Sequence, residues 1–493
     1  MIDQDNSNHN NKSIAKNAIF NVLYKIMNMF FPLITTIYIS HILMASGVGK
    51  VSTAQNIAQY FVLLAPMGIA NYGIREIARS RNDHVNMERL FTELFSINFC
   101  SSLLCAGIYY CIILKGEYFA AERILYLVVG LPIVFNLINI EWFYQGNEEY
   151  VYIAIRSVIV KFVSLLAIVF CVKAVEDYVV YALIYALGMA GNYLFNIINL
   201  VKKGVHLNFS NLSISRHFKP IFILLCSNIA IELYTLLDTT MLGVMCTDET
   251  VGYYTNSIKL VKIIVSLITA IGGVILPRLS YYKKQGMIQE CNLLISKMTK
   301  VMLFFAIPSG LGVFLLADKL VWIMFGETFM PSVFTVRVAT ILIYVLGFSN
   351  LFGTQVLLTF NQEKKLLICT CVGAVSNIIM NSFLIPMFEH NGAVIASVIS
   401  ETIVTLMTLS FAKKHAAIKI EPNYWMKIMV ASVGMSGMVL FLTQAISNAL
   451  CCAISCVFCG GILYLVLGIL LKNELLIELK TIVVNKFRGG QNV

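Results

Sequence analysis

Charge is scarce in this chain. Only 13% of its 493 residues are charged, 58% are hydrophobic, and mean hydropathy is +0.80. A soluble protein of that length would carry about 25% charged residues and split into two or more domains. The composition is that of a polytopic membrane protein. Also lacking is a G-x-x-x-x-G-K-[ST] loop, which excludes a P-loop ATPase. Seven histidines are scattered at loops and span ends without H-E-x-x-H or other metal spacing, so no metal or other cofactor is expected. No interior linker exceeds about twenty residues, which leaves no place for a soluble active site. The thirteen cysteines lie almost all within apolar stretches. Cys456 and Cys459 form a C-x-x-C with no His or second pair nearby, and are read as small buried hydrophobes.

Apolar runs near 20 residues, the length a helix needs to cross a bilayer, fix the span count. They predict an all-α protein of about fourteen helices. The runs lie near 18–40, 52–72, 89–113, 121–144, 152–172, 177–200, 218–245, 255–276, 297–317, 333–360, 365–386, 391–412, 424–446 and 450–471. Loop charge tests the count, because cytoplasmic loops are enriched in Lys and Arg. Of the 36 Lys and Arg residues, alternation through fourteen spans puts 27 on one side, 8 on the other and Lys25 on neither. Clusters on the basic side include Arg75, Arg79, Arg81 and Arg89, and later Arg278, Lys283 and Lys284. Both termini are therefore expected in the cytoplasm. The formal net charge of +10 is topology signal and attraction to anionic lipid, and gives no reason to invoke nucleic acid. Residues 1–17 are polar, lack a cleavage pattern, and are expected to be a disordered cytoplasmic arm ahead of an uncleaved first helix.

An offset of 203 residues relates Val48-Gly49 to Val251-Gly252, and Arg75 to Arg278. It equals six spans, so the two copies share one orientation, as in a parallel repeat about an axis along the membrane normal. The expected organisation is an N-lobe at 18–200, a cytoplasmic linker at 201–217, a C-lobe at 218–415, two extra helices within 416–472, and a cytoplasmic tail at 473–493.

Several stretches resemble a known family. They are Asn17, Asn21 and Pro32; Tyr38 with Ser40-His41-Ile42-Leu43; Gly47 and Gly49; and Gly68 with Tyr72-Gly73-Ile74-Arg75-Glu76-Ile77-Ala78. Glu141-Trp142-Phe143-Tyr144-Gln145-Gly146 continues the pattern, as do Tyr234, Asp238, Met241-Leu242-Gly243, Val251-Gly252-Tyr253-Tyr254 and Ser257-x-Lys259. Their order over residues 13 to about 415 resembles the O-antigen and capsule flippases of the multidrug/oligosaccharidyl-lipid/polysaccharide exporter superfamily. The last two helices match only in hydropathy. The resemblance implies transfer of a polyprenyl-pyrophosphate-linked oligosaccharide between leaflets of the bacterial inner membrane, by alternating access of the two lobes. Implied partners are that lipid-linked oligosaccharide, membrane lipid, and polymerase or glycosyltransferase machinery around a monomeric, non-enzymatic carrier. A polymerase or glycosyltransferase itself would carry a substantial periplasmic loop, which is missing.

Such a substrate calls for buried cations against its diphosphate. Lys25, about 12 Å into the first helix at ~1.5 Å per residue, is the deepest candidate. It would contact the ligand, pair with Glu232 or Glu401, or snorkel. Lys161 on the fifth helix and the pair Lys259 and Lys262, three apart on the eighth, are further candidates. Asp238 is an alternative partner for the last two. Arg75 and Arg278 close helix ends, where a cation suits the helix dipole and the topology rule; a gating role is the sharper reading. Glu232, Asp238 and Glu401 would balance charge or couple an ion gradient, with Glu232 and Asp238 on roughly opposite helix faces. Glu141 is expected at the inner interface. Asn192, Asn196 and Asn199, and Asn377 with Asn381, would line a hydrated cavity or bond between helices. Two alternatives share the fold: a multidrug cation antiporter, and a peptidoglycan-precursor or teichoic-acid flippase. Drug antiporters usually carry an acid in the first helix, where this chain has Lys25 and none. A non-transporting structural membrane protein would not need cations buried in several spans.

Overall fold

The computed structural model describes residues 2–81, 83–210, 212–417, 421–478 and 481. Side chains are described from Phe30 onward, except at 227–231, 233, 234, 271, 273 and 274. Lys25 and the arm at 1–17 thus lie outside the described side chains; the backbone of helix α1 begins at Ile2. Among the described residues nine helices are long and apolar enough to cross a membrane, and a bent pair, Glu327–Ala339 with Ile341–Leu357 at 44°, makes a tenth. Two of the nine contain a reversal and supply two legs each. The shorter apolar helices Arg123–Ile138 and Thr235–Met245 add two more. These elements accommodate the fourteen stretches read from the sequence.

The chain forms two compact units, Met1–Gly252 and Tyr253–Val493. The first contains α1 (Ile2–Leu64), α2 (Ile69–Ser80), α3 (His84–Lys115), α4 (Arg123–Val129), α5 (Leu131–Phe135), α6 (Glu141–Gly146), α7 (Tyr150–Cys171), α8 (Tyr178–Lys202), α9 (Ser215–Met245) and the first turn of α10 (Asp248–Lys284). In α1 the chain reverses at Met44 (φ 55°). Before it, Phe31 meets Lys161 and Tyr38 donates to the carbonyls of Val169 and Val172; after it, Tyr60 meets Thr240 and Ala65 meets Ser101. Just beyond the reversal, Gly49 packs on the start of α10. A Cβ at Gly49 would lie 1.7 Å from the Asp248 carbonyl oxygen, and one at Gly252 would lie 2.3 Å from that of Ala45.

Two stretches expected as single helices, 52–72 and 121–144, are broken. The first breaks at residues 65–68, with Gly68 at φ 81°. The second breaks around Gly130, Pro132 and Asn139 into α4, α5, a 3-10 turn and α6. Breaks inside a bilayer weaken the backbone ladder, and α3 supplies side-chain donors to carbonyls beside them. Ser101 donates to Ala65 O at 2.6 Å, and Asn98 to Asn136 O at 2.7 Å. Tyr109 donates to Tyr126 O at 2.7 Å, and Tyr110 to Leu127 O at 3.1 Å. Trp142, Phe143, Tyr144 and Phe91 then fill a core near the far end of the unit.

The second unit holds the rest of α10, α11 (Ile288–Phe325), α12 (Val333–Ser349), α13 (Glu363–Ala412), α14 (Pro422–Ala445) and α15 (Ala449–Leu470). A π-helical segment, Asn350–Leu357, extends α12. Within α13 the chain reverses at Glu389 (φ 52°), so that Gly373 packs on Val404 and Gly392 on the carbonyl of Leu384. Leu303, Phe304 and Ile307 of α11 form a core with Tyr424, Ile428 and Tyr464 of α14 and α15. Cys456 is buried in a second cluster with Leu316, Val439 and Cys452 while Cys459 is exposed, so the expectation that both are buried is corrected; a three-residue step turns the helix by about 300°, off the packed face. Neither is in a disulfide.

Candidate functional site

α10 carries a polar stripe through a span. Lys259 and Lys262 are exposed, and Thr255, Ser266 and Thr269 continue the same face half-buried. Leu260, Val261, Val265 and Ile268 are buried on the opposite side. Lys259 lies eleven residues into the helix, ~16 Å at 1.5 Å per residue. An ammonium at that depth is expensive against hydrocarbon, so the stripe requires water or an anion in front of it.

In the first unit the charges lie deeper. Arg156 of α7 is buried, donates to the fully buried Asn196 of α8, and meets the Glu141 carboxylate at 3.2 Å. Its Nε has no partner among the described residues. Lys161, five residues on, lies over the Phe31 ring at 5.7 Å and within electrostatic reach of Glu141. The expectation for Glu141 is thereby sharpened: it is the counter-ion of a buried arginine. Asn196 also has its carbonyl capped by the Tyr144 hydroxyl at 2.7 Å, and Asn199 donates to the same hydroxyl at 3.3 Å. Asn192 bonds its own helix, to Gly188 O at 3.1 Å. In the second unit Asn381 donates to Asn377 at 3.1 Å, both buried. These asparagines bond within and between helices.

Glu93 of α3 is fully buried and holds together the start of α9. It accepts from Arg216 at 2.6 Å, from His217 Nε2 at 2.8 Å, and from the Ser213 backbone N–H at 2.5 Å. Tyr72 of α2 shares a 2.8 Å hydrogen bond with His217 Nδ1. A buried carboxylate survives only with such a complement of donors.

The remaining candidates are dispersed. Asp238 of α9 is buried and Glu232 is exposed, accepting from Thr235 at 3.4 Å. Arg75 is exposed and meets Glu76 at 3.2 Å; Arg278 is exposed and donates to Tyr282 at 2.8 Å. Glu401 is half-buried on α13. Sequence reading missed two residues. Arg156 was counted only as a topology charge, and Glu93 was overlooked although it falls within the expected span 89–113. An intramembrane carboxylate four residues after an arginine was the available signal.

With fold and charges in view, known proteins can be compared. The model of the polysaccharide biosynthesis protein family matches residues 14–283, more than half of the chain. The chain belongs to this family. A relative from Escherichia coli (strain K12), whose name assigns it O-antigen transport, is 23% identical over 419 residues, covering 83% of this chain and 99% of its own. Among solved structures, the lipid II flippase MurJ in an inward closed conformation superposes with a TM-score of 0.74 at 15% identity, over 92% of this chain and 99% of its own. An inward-facing multidrug resistance MATE family transporter of the MOP superfamily gives 0.63 at 13% identity, over 80% and 97%. At these identities the structural likeness shows the fold alone. The chain is a multi-pass membrane protein of this polysaccharide biosynthesis family.

Proposed function

We propose that this protein is a flippase that moves polyprenyl-pyrophosphate-linked oligosaccharide repeat units across the bacterial inner membrane, with both termini cytoplasmic and the two lobes alternating in access. The exposed pair Lys259 and Lys262 inside a span carries the reading. Two point charges three residues apart on one helix face suit the two phosphates of a diphosphate, and they repel cationic drugs. Lys25 and Lys161 are the first unit's own candidates for contact with a substrate phosphate. Arg156 and Glu141 hold Lys161's surroundings, Glu232, Asp238 and Glu401 balance charge or couple an ion gradient, and Arg75 and Arg278 take part in gating. The name of the Escherichia coli relative and the match to the polysaccharide family support this over a drug antiporter. The protein works as a monomer beside the machinery that makes and polymerises the glycan. The test is flipping of a lipid-linked oligosaccharide by the purified protein in vesicles. Wild-type rates in Lys259→Ala/Lys262→Ala would sink the proposal, as would transport of a cationic dye at a comparable rate.

A further inference from the structure

At the end of the second unit where α10 finishes and α13 both begins and ends, cations collect around two phenylalanine rings and an imidazole. His415 stacks on Phe360, ring centroids 5.6 Å apart. Lys283 lies over the Phe360 ring at 5.5 Å; Lys365 and Lys414 lie over the Phe411 ring at 5.5 and 5.9 Å. All three lysines act electrostatically on the His415 imidazole. Among the described residues none of the three has a carboxylate within 4.0 Å, and exposed Glu363 pairs with none of them. Among the described residues His415 Nε2 also lacks a partner. Two lysines of α11 differ in being paired with acids: Lys297 meets Glu478, and Lys300 meets Glu421 at 3.0 Å and Glu474 at 2.5 Å. What sets the cluster apart is its geometry: three ammonium groups converge on the ring pair Phe360 and Phe411 and on one imidazole.

We propose that Lys283, Lys365, Lys414 and His415 form a binding site for the phosphate group of an anionic lipid, over a floor of Phe360 and Phe411. Three ammonium groups supply the charge, and the two rings offer apolar surface to the glycerol or chain carbons next to a headgroup. The cluster lies at helix ends, where bilayer phosphates lie. Burial first, and then the three lysines, hold the His415 imidazole below its ordinary range. This site is separate from Lys259 and Lys262, and the inference does not depend on the transport reading.

The test uses the full chain in nanodiscs of phosphatidylcholine, with or without phosphatidylglycerol, or with inorganic pyrophosphate in the buffer. Carbethoxylation of His415 by diethylpyrocarbonate is read by peptide mass spectrometry, with His206 of the first unit as internal reference. Phosphatidylglycerol is expected to slow modification of His415 and not of His206. Lys283→Gln/Lys365→Gln/Lys414→Gln should lose that protection, and Lys365→Gln alone should weaken lipid retention about fivefold. Protection by pyrophosphate alone would keep the phosphate site and reassign its source to free anions. No protection by either, or undiminished protection in a folded triple variant, overturns it.

Discussion

Gly49 and Gly252 pack reciprocally, each against the carbonyl oxygen of the residue four before the other, Asp248 and Ala45. Because the obstructing atoms are backbone, no side-chain rotation can make room for a methyl group. Gly49→Ala and Gly252→Ala are each expected to cost about 1–3 kcal/mol, lowering the melting temperature of the purified protein. One separation of the two segments relieves both clashes, so the double variant should lose less than the sum. Additive losses would mean that the two contacts are independent.

Arg156 and Glu141 give a second prediction. Removing one member of a buried pair strands the other, at about 3–5 kcal/mol, whereas replacing both with neutral groups of similar size is nearly neutral. Arg156→Met should therefore reduce folded protein in the membrane sharply, and Glu141→Gln/Arg156→Met should restore much of it. A double variant no better than the single would remove the pair from the fold's support.

Lys25 is tested through function. Lys25→Ala is expected to abolish export of surface glycan while the protein still reaches the membrane. Normal glycan display in that variant would take Lys25 out of the mechanism.

Acidity should loosen the end of the second unit. The hydrogen bond from Lys300 holds the Glu474 carboxyl below its ordinary 4.5. A depressed carboxyl stabilises above the unfolded value, and that stabilisation is lost as pH falls through the folded one. Both partners are near the surface, so the effect is small and local. Hydrogen exchange in Asn473–Ile477 should rise below pH 4.5 in the wild type, and Lys300→Met should remove the step.

The number of apolar stretches and the reversals near Met44 and Glu389 were legible, because crossing length and the polar residues between runs are local properties. The breaks at Gly68 and Gly130 were not. Hydropathy continues through them, and what makes them tolerable is Ser101, Asn98, Tyr109 and Tyr110 on another helix. The lysines of α10 stood out in sequence because they interrupt an apolar run. Glu93 and Arg156 did not, since residues near a span end read as topology until burial distinguishes them.

The hydrogen bonds that α3 gives to the broken fourth stretch also bear on biogenesis. Alone in hydrocarbon, the segment from Arg123 to Asn139 would lose the side-chain donors that reinforce the carbonyls of Tyr126, Leu127 and Asn136. It has a low-cost route out of the translocon only once α3 is alongside it. Spans three and four should therefore integrate as a hairpin, with the earlier helix retained at the lateral gate until the later one arrives.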